Sequence, residues 1–121
     1  MVIVNATKDI VLADQCRVAN SFWKRLIGLL NRKTLLVGEG LLLDRCSGVH
    51  TFGMRFAIDI VGLGADFRVL RVIQALPPYR ACVLKNATCV IELPAGTIDR
   101  TRTAEGDQIH VLTDNSRSDA K

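Results

Sequence analysis

The chain has 121 residues, 49% hydrophobic and 23% charged, with a formal net charge of +4 and a pI near 9.1. These values exclude a disordered polyelectrolyte, and the longest apolar runs are too short to cross a bilayer. The length suits one domain, read as residues 1–112 and followed by a flexible polar tail over 113–121.

Val2-Ile3-Val4 and Ile10-Val11-Leu12 are short β-branched runs on either side of a polar segment, and they predict an amino-terminal hairpin. From Val18 the period changes. Val18, Phe22, Leu26 and Leu29 recur at helical spacing, widened by Trp23, Ile27 and Leu30, which predicts one amphipathic helix over 17–30 with Asp14 as its cap. Strand signals follow over 40–43, 57–63, 68–76, 81–84, 89–93 and 108–112. Gly64-Ala65-Asp66 predicts a hairpin between the second and third of these, and Pro77-Pro78 ends the third because neither proline can donate to a ladder. Glu105-Gly106-Asp107 reads as a tight turn into the last strand. The pattern predicts an α+β, mainly β domain, a small curled antiparallel or barrel-like sheet of about six to eight short strands packed with the helix.

Four cysteines, Cys16, Cys46, Cys82 and Cys89, show no paired framework, and the first ten residues carry no apolar leader segment. Free thiols and a cytoplasmic location are therefore expected, without a membrane partner. The basic residues are dispersed and aromatics make up only 5%, which disfavours nucleic acid as a partner while leaving an anionic ligand admissible. Phosphate-binding loops, dinucleotide fingerprints and nucleophile elbows are missing, so no cofactor is expected. The oligomeric state is not written in the sequence.

The segment from Cys46 to Asp59 is chemically the richest. Cys46, His50 and Met54 are spaced four apart and are the donor types a soft ion such as Cu(I) prefers. Cys and Met are also common core fillers, and the spacing lacks the regular ligand pairs of a structural zinc site, so no metal is expected. Asp59 and Glu92 each interrupt an apolar run, so that either could be partly buried on a sheet face or near its mouth, and burial would demand a partner such as Arg55, Arg25 or His50. Arg55, Asp59 and Glu92 are expected to form one coupled polar cluster. His110 lies between apolar neighbours and is expected on the outer face. The leading reading is a non-catalytic or accessory domain with a polar cleft for a small anionic ligand, its candidates being His50, Thr51, Met54, Arg55, Asp59 and Glu92. Two alternatives stay open. One is a hydrolase-like enzyme with Asp59 or Glu92 as general base and His50 as acid, and the other a soft-metal binder through Cys46, His50 and Met54.

An ordered set of motifs carries a resemblance. Arg25-x2-Gly28-Leu29-x2-Arg32, Gly40-Leu41-Leu42-Leu43, the run His50 to Asp59, Ile91-Glu92-Leu93-Pro94-Ala95-Gly96 and Gly106-Asp107 occur in the order seen in the domain of unknown function 192 family, over roughly residues 12–112. The resemblance implies a compact, mainly β domain with a barrel-like sheet and no established reaction. Met54, Arg55, Asp59 and Glu92 match the family's pattern. Gly53, Arg55 and Ala57 stand where typical members have Trp, Lys and Pro, so a stacking role for that Trp does not carry over.

Overall fold

The computed structural model describes residues 1–19 and 34–113. Among them the chain forms, in order, β1 (Val2–Asn5), β2 (Ile10–Ala13), β3 (Gln15–Ala19), β4 (Glu39–Asp44), β5 (Gly48–His50), β6 (Ile58–Leu63), β7 (Val69–Leu76), β8 (Ala81–Val83), β9 (Cys89–Pro94), α1 (Thr97–Thr101) and β10 (Ile109–Leu112). The fold is α+β and mainly β. Ten strands are described, more than the six to eight anticipated, and they divide into three sheets that do not close into a barrel.

The central sheet has the order β3-β4-β9-β6-β7. Its middle strands β6 and β9 are buried along their whole length, which is why both read in sequence as near-continuous apolar runs. β4, β9, β6 and β7 pair antiparallel, whereas β3 lies parallel to β4 with Gln15 opposite Glu39 and Ala19 opposite Leu43. The sheet is therefore mixed. This pairing also corrects the helix expected over 17–30: Arg17, Val18 and Ala19 are strand, and the rest of that stretch lies outside the described residues. Val18, taken as the first position of the apolar stripe, is half exposed. Asp14 does not cap a helix but sits at the bend between β2 and β3, where its amide donates to the Gly38 carbonyl at 3.0 Å.

Each face of the central sheet has its own core. One packs Leu42, Val61, Leu63, Ile91 and Leu93 against Ile3, Leu12 and Ile109 of the β10-β1-β2 sheet and Ile98 of α1. The other packs Leu41, Leu43, Ile58, Ile60 and Val90 against Val49 of β5, Met54 and Leu84. Full burial of such a side chain is worth about 1.5–3 kcal/mol. The expected hairpins β1–β2 and β6–β7 both form, and β7 ends at Leu76 immediately before Pro77.

A buried polar knot fastens the outer sheet. Asn5, with no exposed surface, donates from Nδ2 to Asp107 Oδ2 at 2.9 Å and to Thr103 Oγ1 at 3.1 Å. Asp107 Oδ2 also accepts from Lys8 Nζ at 2.8 Å and from the Ala104 amide at 3.0 Å. Burial by itself would raise the Asp107 pKa. The hydrogen bonds from Asn5, Lys8 and Ala104, with the charge of Lys8, outweigh it and hold the carboxyl below the usual aspartate value. A lowered folded pKa gives stability that is fully present above the unfolded value of about 4 and is lost as pH falls through the folded one. Denaturant midpoints should accordingly fall between pH 5 and about pH 2, and Asp107→Asn should be less stable at pH 7 with a flatter acid limb. An acid limb unchanged by the substitution would remove Asp107 from this role.

Candidate functional site

The two acids that break the apolar runs occupy opposite faces of one sheet. Asp59 pairs with Leu93 and Glu92 with Ile60, so strand alternation sends Asp59 towards the core that contains Ile98, and Glu92 towards the other, between Leu41 and Ile60. Both are fully buried. Asp59 is held by backbone: its Oδ1 accepts from the Ala75 amide at 2.8 Å, and its Oδ2 from the Gly96 and Ile98 amides at 3.1 and 2.8 Å. Gly96, at φ 97°, precedes α1 with no side-chain cap of its own, and the left-handed backbone there favours glycine. The carboxylate thus supplies from β6 the capping that the local sequence of α1 lacks. Arg55 is exposed and is not one of the groups that hold Asp59.

The remaining candidates gather around β5. Thr51 is buried just past its end and is fully used within the fold: its hydroxyl donates to the Pro77 carbonyl at 2.6 Å and accepts from the Arg80 amide at 2.9 Å, while its own amide donates to the Arg80 carbonyl at 2.8 Å. This clip fixes the turn from Pro77 to Arg80, in which Tyr79 takes φ 62°, a conformation costing a non-glycine residue on the order of 1 kcal/mol. Tyr79 is left 66% exposed. Met54 is buried in the second core.

His50 is the last residue of β5 itself. β5 and β8 form a two-stranded ribbon with Gly48 opposite Val83, Val49 opposite Cys82 and His50 opposite Ala81. Val49 and Cys82 turn to the second core, so Gly48, His50, Ala81 and Val83 share the outer face. They line a groove of about 440 Å³ together with Phe52, whose ring stacks on His50 at a centroid distance of 5.4 Å and an interplanar angle of 25°. Phe52 is 51% exposed and Val83 75%. The floor is shallow because Gly48 carries no side chain; a Cβ there would stand 3.3 Å from the Cys82 carbonyl oxygen. Phe52, Ala81 and Val83 were not picked out by sequence reasoning. The usable signal was the pairing of a glycine and an alanine with bulkier residues across two three-residue strands, which only the register reveals.

The sequence candidates therefore separate. His50 reaches the groove, Thr51 and Met54 support it from below, Arg55 is exposed, and Asp59 and Glu92 are buried in different cores. A single coupled cluster of Arg55, Asp59 and Glu92 does not form, because the two acids lie on opposite faces of the central sheet. His110 is exposed, as anticipated. Among the described residues no three His, Cys, Asp or Glu side chains converge on a point that would hold a metal. Cys46 donates its thiol to the Gly48 carbonyl at 2.8 Å, and all four cysteines are free.

The fold and the motifs have clear counterparts. A family model described as "Uncharacterized ACR", domain of unknown function 192 (DUF192), matches residues 2–111. The chain belongs to the DUF192 family. A UPF0127 protein of Pyrococcus horikoshii is 33% identical, spanning 92% of this chain and 99% of its own, and one of Pyrococcus furiosus is 32% identical over 88% and 95%. Among solved structures, a Novosphingobium aromaticivorans protein of unknown function superposes with a TM-score of 0.78 at 22% identity, covering 91% of this chain and 83% of its own. A Sinorhizobium meliloti protein superposes at 0.75 and 20% identity, over 90% and 89%. These two show that the DUF192 fold is shared. Its chemistry is not established, and among the described residues no helix is long and apolar enough to cross a membrane.

Two measurements check this geometry. Asp59→Asn puts an amide nitrogen or an uncharged oxygen against three backbone donors and should destabilise by about 1–3 kcal/mol in urea, while Arg55→Gln should stay within about 0.5 kcal/mol of the parent. Equal losses, not additive in the double variant, would return Arg55 to Asp59 as its partner. Burial pushes the thiols of Cys16 and Cys89 up to about 11, with the nearby charges of Asp44 and Cys46 adding to the effect at Cys89. Titration of the native protein with an aromatic disulfide at pH 8 should therefore find the half-buried Cys46 and Cys82 reactive, and the other two only after unfolding. Four fast thiols would contradict the burial.

Proposed function

We propose that the chain is a non-catalytic binding module that takes a small anionic ligand in the groove on the outer face of the β5–β8 ribbon. One observation carries this reading: a phenyl ring, Phe52, is held half exposed by stacking on His50 over a floor kept open by Gly48 and Ala81. An aromatic side chain left in water forgoes burial worth about 1.5–3 kcal/mol, and a ring propped at the wall of a concavity is the usual form of a ligand contact. The groove volume falls within the range of small-molecule sites, roughly 300–1,000 Å³. The net charge of +4 and the absence of any carboxylate from the lining favour an anion over a cation.

His50 and Arg55 are kept from the sequence-level candidates as ligand contacts, with Thr51 and Met54 in support. Asp59 and Glu92 serve the fold in this reading. Among the described residues that line the groove there is no carboxylate.

The anionic dye 1-anilinonaphthalene-8-sulfonate provides the test. It should bind the native protein saturably at one site, and Phe52→Ala should weaken it at least tenfold while leaving the thermal midpoint within about 2 °C, because the ring contributes little to either core. Binding that is absent, or that Phe52→Ala leaves unchanged, would place the site elsewhere.

A further inference from the structure

Resting on the groove as the binding site, we infer that the anion it takes is carried by another protein: the outer face of the β5–β8 ribbon docks an acidic polypeptide segment that places an apolar side chain beside Phe52. The apolar surface here extends past the groove. Tyr79 donates its amide to the Thr51 carbonyl at 3.1 Å, which sets its backbone against that of Phe52, and Val83 is the last residue of β8. All three side chains are exposed. Each ring is kept in water by its own device. Phe52 is propped by the stacked ring of His50, and Tyr79 by a left-handed backbone that the Thr51 clip maintains. Rings held out at such a cost gain their burial only when a partner covers them, and exposed Tyr and Phe beside Val are the anchors of protein-docking faces.

The charge around these anchors selects the partner. Residues 45–58 and 67–91, the stretches that contain β5 and β8, hold no aspartate or glutamate. Of their cations, Arg45, Arg55, Arg80 and Lys85 are exposed, and among the described residues none of the four forms an ion pair. Arg80 immediately precedes β8, and its Nη1 lies 3.4 Å from the Tyr79 carbonyl oxygen, which sets the guanidinium next to the exposed ring's own backbone. Lys85 follows shortly after β8, and Arg55 shortly after Phe52. Apolar anchors in an acid-free, cationic setting complement a segment that carries glutamate or aspartate around an apolar side chain. A second copy of this chain fits less well, because a two-fold contact would bring these cations against their own counterparts. A nucleic acid draws its affinity from a row of phosphate contacts, whereas Arg80 and Lys85 are parted by the apolar residues of β8.

The test is a dodecapeptide of glutamate and serine with one central phenylalanine, titrated into the intact chain with the amide chemical shifts of Phe52, Tyr79 and Val83 as the readout. It is expected to bind, and exchanging its phenylalanine for alanine, or its glutamates for lysines, should weaken it at least tenfold. Phe52→Ala and Tyr79→Gly should each weaken it at least tenfold as well. Glycine suits the left-handed backbone at position 79, so a loss of binding there with an undiminished thermal midpoint is a lost contact and not a lost fold. Arg80→Glu combined with Lys85→Glu should weaken the acidic peptide at least tenfold and flatten its dependence on salt. Equal binding of the lysine peptide would overturn the acidic partner. Tighter binding of oligothymidylate would give the face to nucleic acid, and a dimer that Phe52→Ala dissociates would give it to a second copy; either result overturns the proposal. If the acidic peptide fails while 1-anilinonaphthalene-8-sulfonate still binds in a Phe52-dependent manner, the polypeptide partner falls and the groove stands. If both fail, the two readings fall together.

Discussion

A carboxylate buried in the middle of a central strand is the constraint on which the arrangement turns. Removing the Asp59 side chain from water carries a cost of several kcal/mol unless its oxygens are satisfied, and among the described residues no side-chain cation does so. Three backbone amides do it instead, and each obliges part of the chain to follow a particular path. Delivery of the Ala75 amide accompanies the bulge in β7, where the register with β6 slips between Ile58 and Ile60 and Ala75 adopts φ 51°. Delivery of the Gly96 and Ile98 amides fixes the turn after β9 and the first residues of α1. One side chain thus ties β6, β7 and the β9–α1 connection together, and it does so on the face away from the proposed ligand groove.

The division of labour between the two sheet faces follows from that. The first face, closed by the β10-β1-β2 sheet and knotted by Asn5 and Asp107, contains the polar contacts that hold the fold. The second face holds up the β5–β8 ribbon, a pair of three-residue strands too short to be stable by themselves. The ribbon persists because Val49 and Cys82 turn into the second core and Thr51 clips it to the Pro77–Arg80 turn. With its inner face committed in this way, its outer face is free to present Phe52, His50 and Val83 beside a low floor. The fold shared with the two bacterial structures supplies the scaffold for that ribbon.

Much of this order was legible before any coordinates. The hairpins β1–β2 and β6–β7, the strands β4, β9 and β10, the stop at Pro77 and the membership in DUF192 all followed from local pattern and motif order, because period-2 alternation, glycine turns and proline breaks act over a few residues and need no distant partner. The sequence also marked Asp59 and Glu92 as acids set within apolar runs, open to partial burial on a sheet face or near its mouth; the structure buries both fully. What it could not carry was every relation that depends on pairing across long separations. β3 is a strand because it finds β4 alongside it in parallel, and its five residues by themselves continue smoothly into a helical stripe. β5 and α1 are too short to leave a periodic trace and exist through the contacts they make. The faces taken by Asp59 and Glu92 were decided by a register in which Asp59 meets Leu93 and Glu92 meets Ile60; a slip of one residue would have turned each acid to the other side. The same kind of cross-strand fact, Gly48 set against Val83 and His50 against Ala81, made a groove out of residues with no common signature in the sequence. Local chemistry could announce that acids sat within apolar runs, but only tertiary pairing could decide what each of them faces.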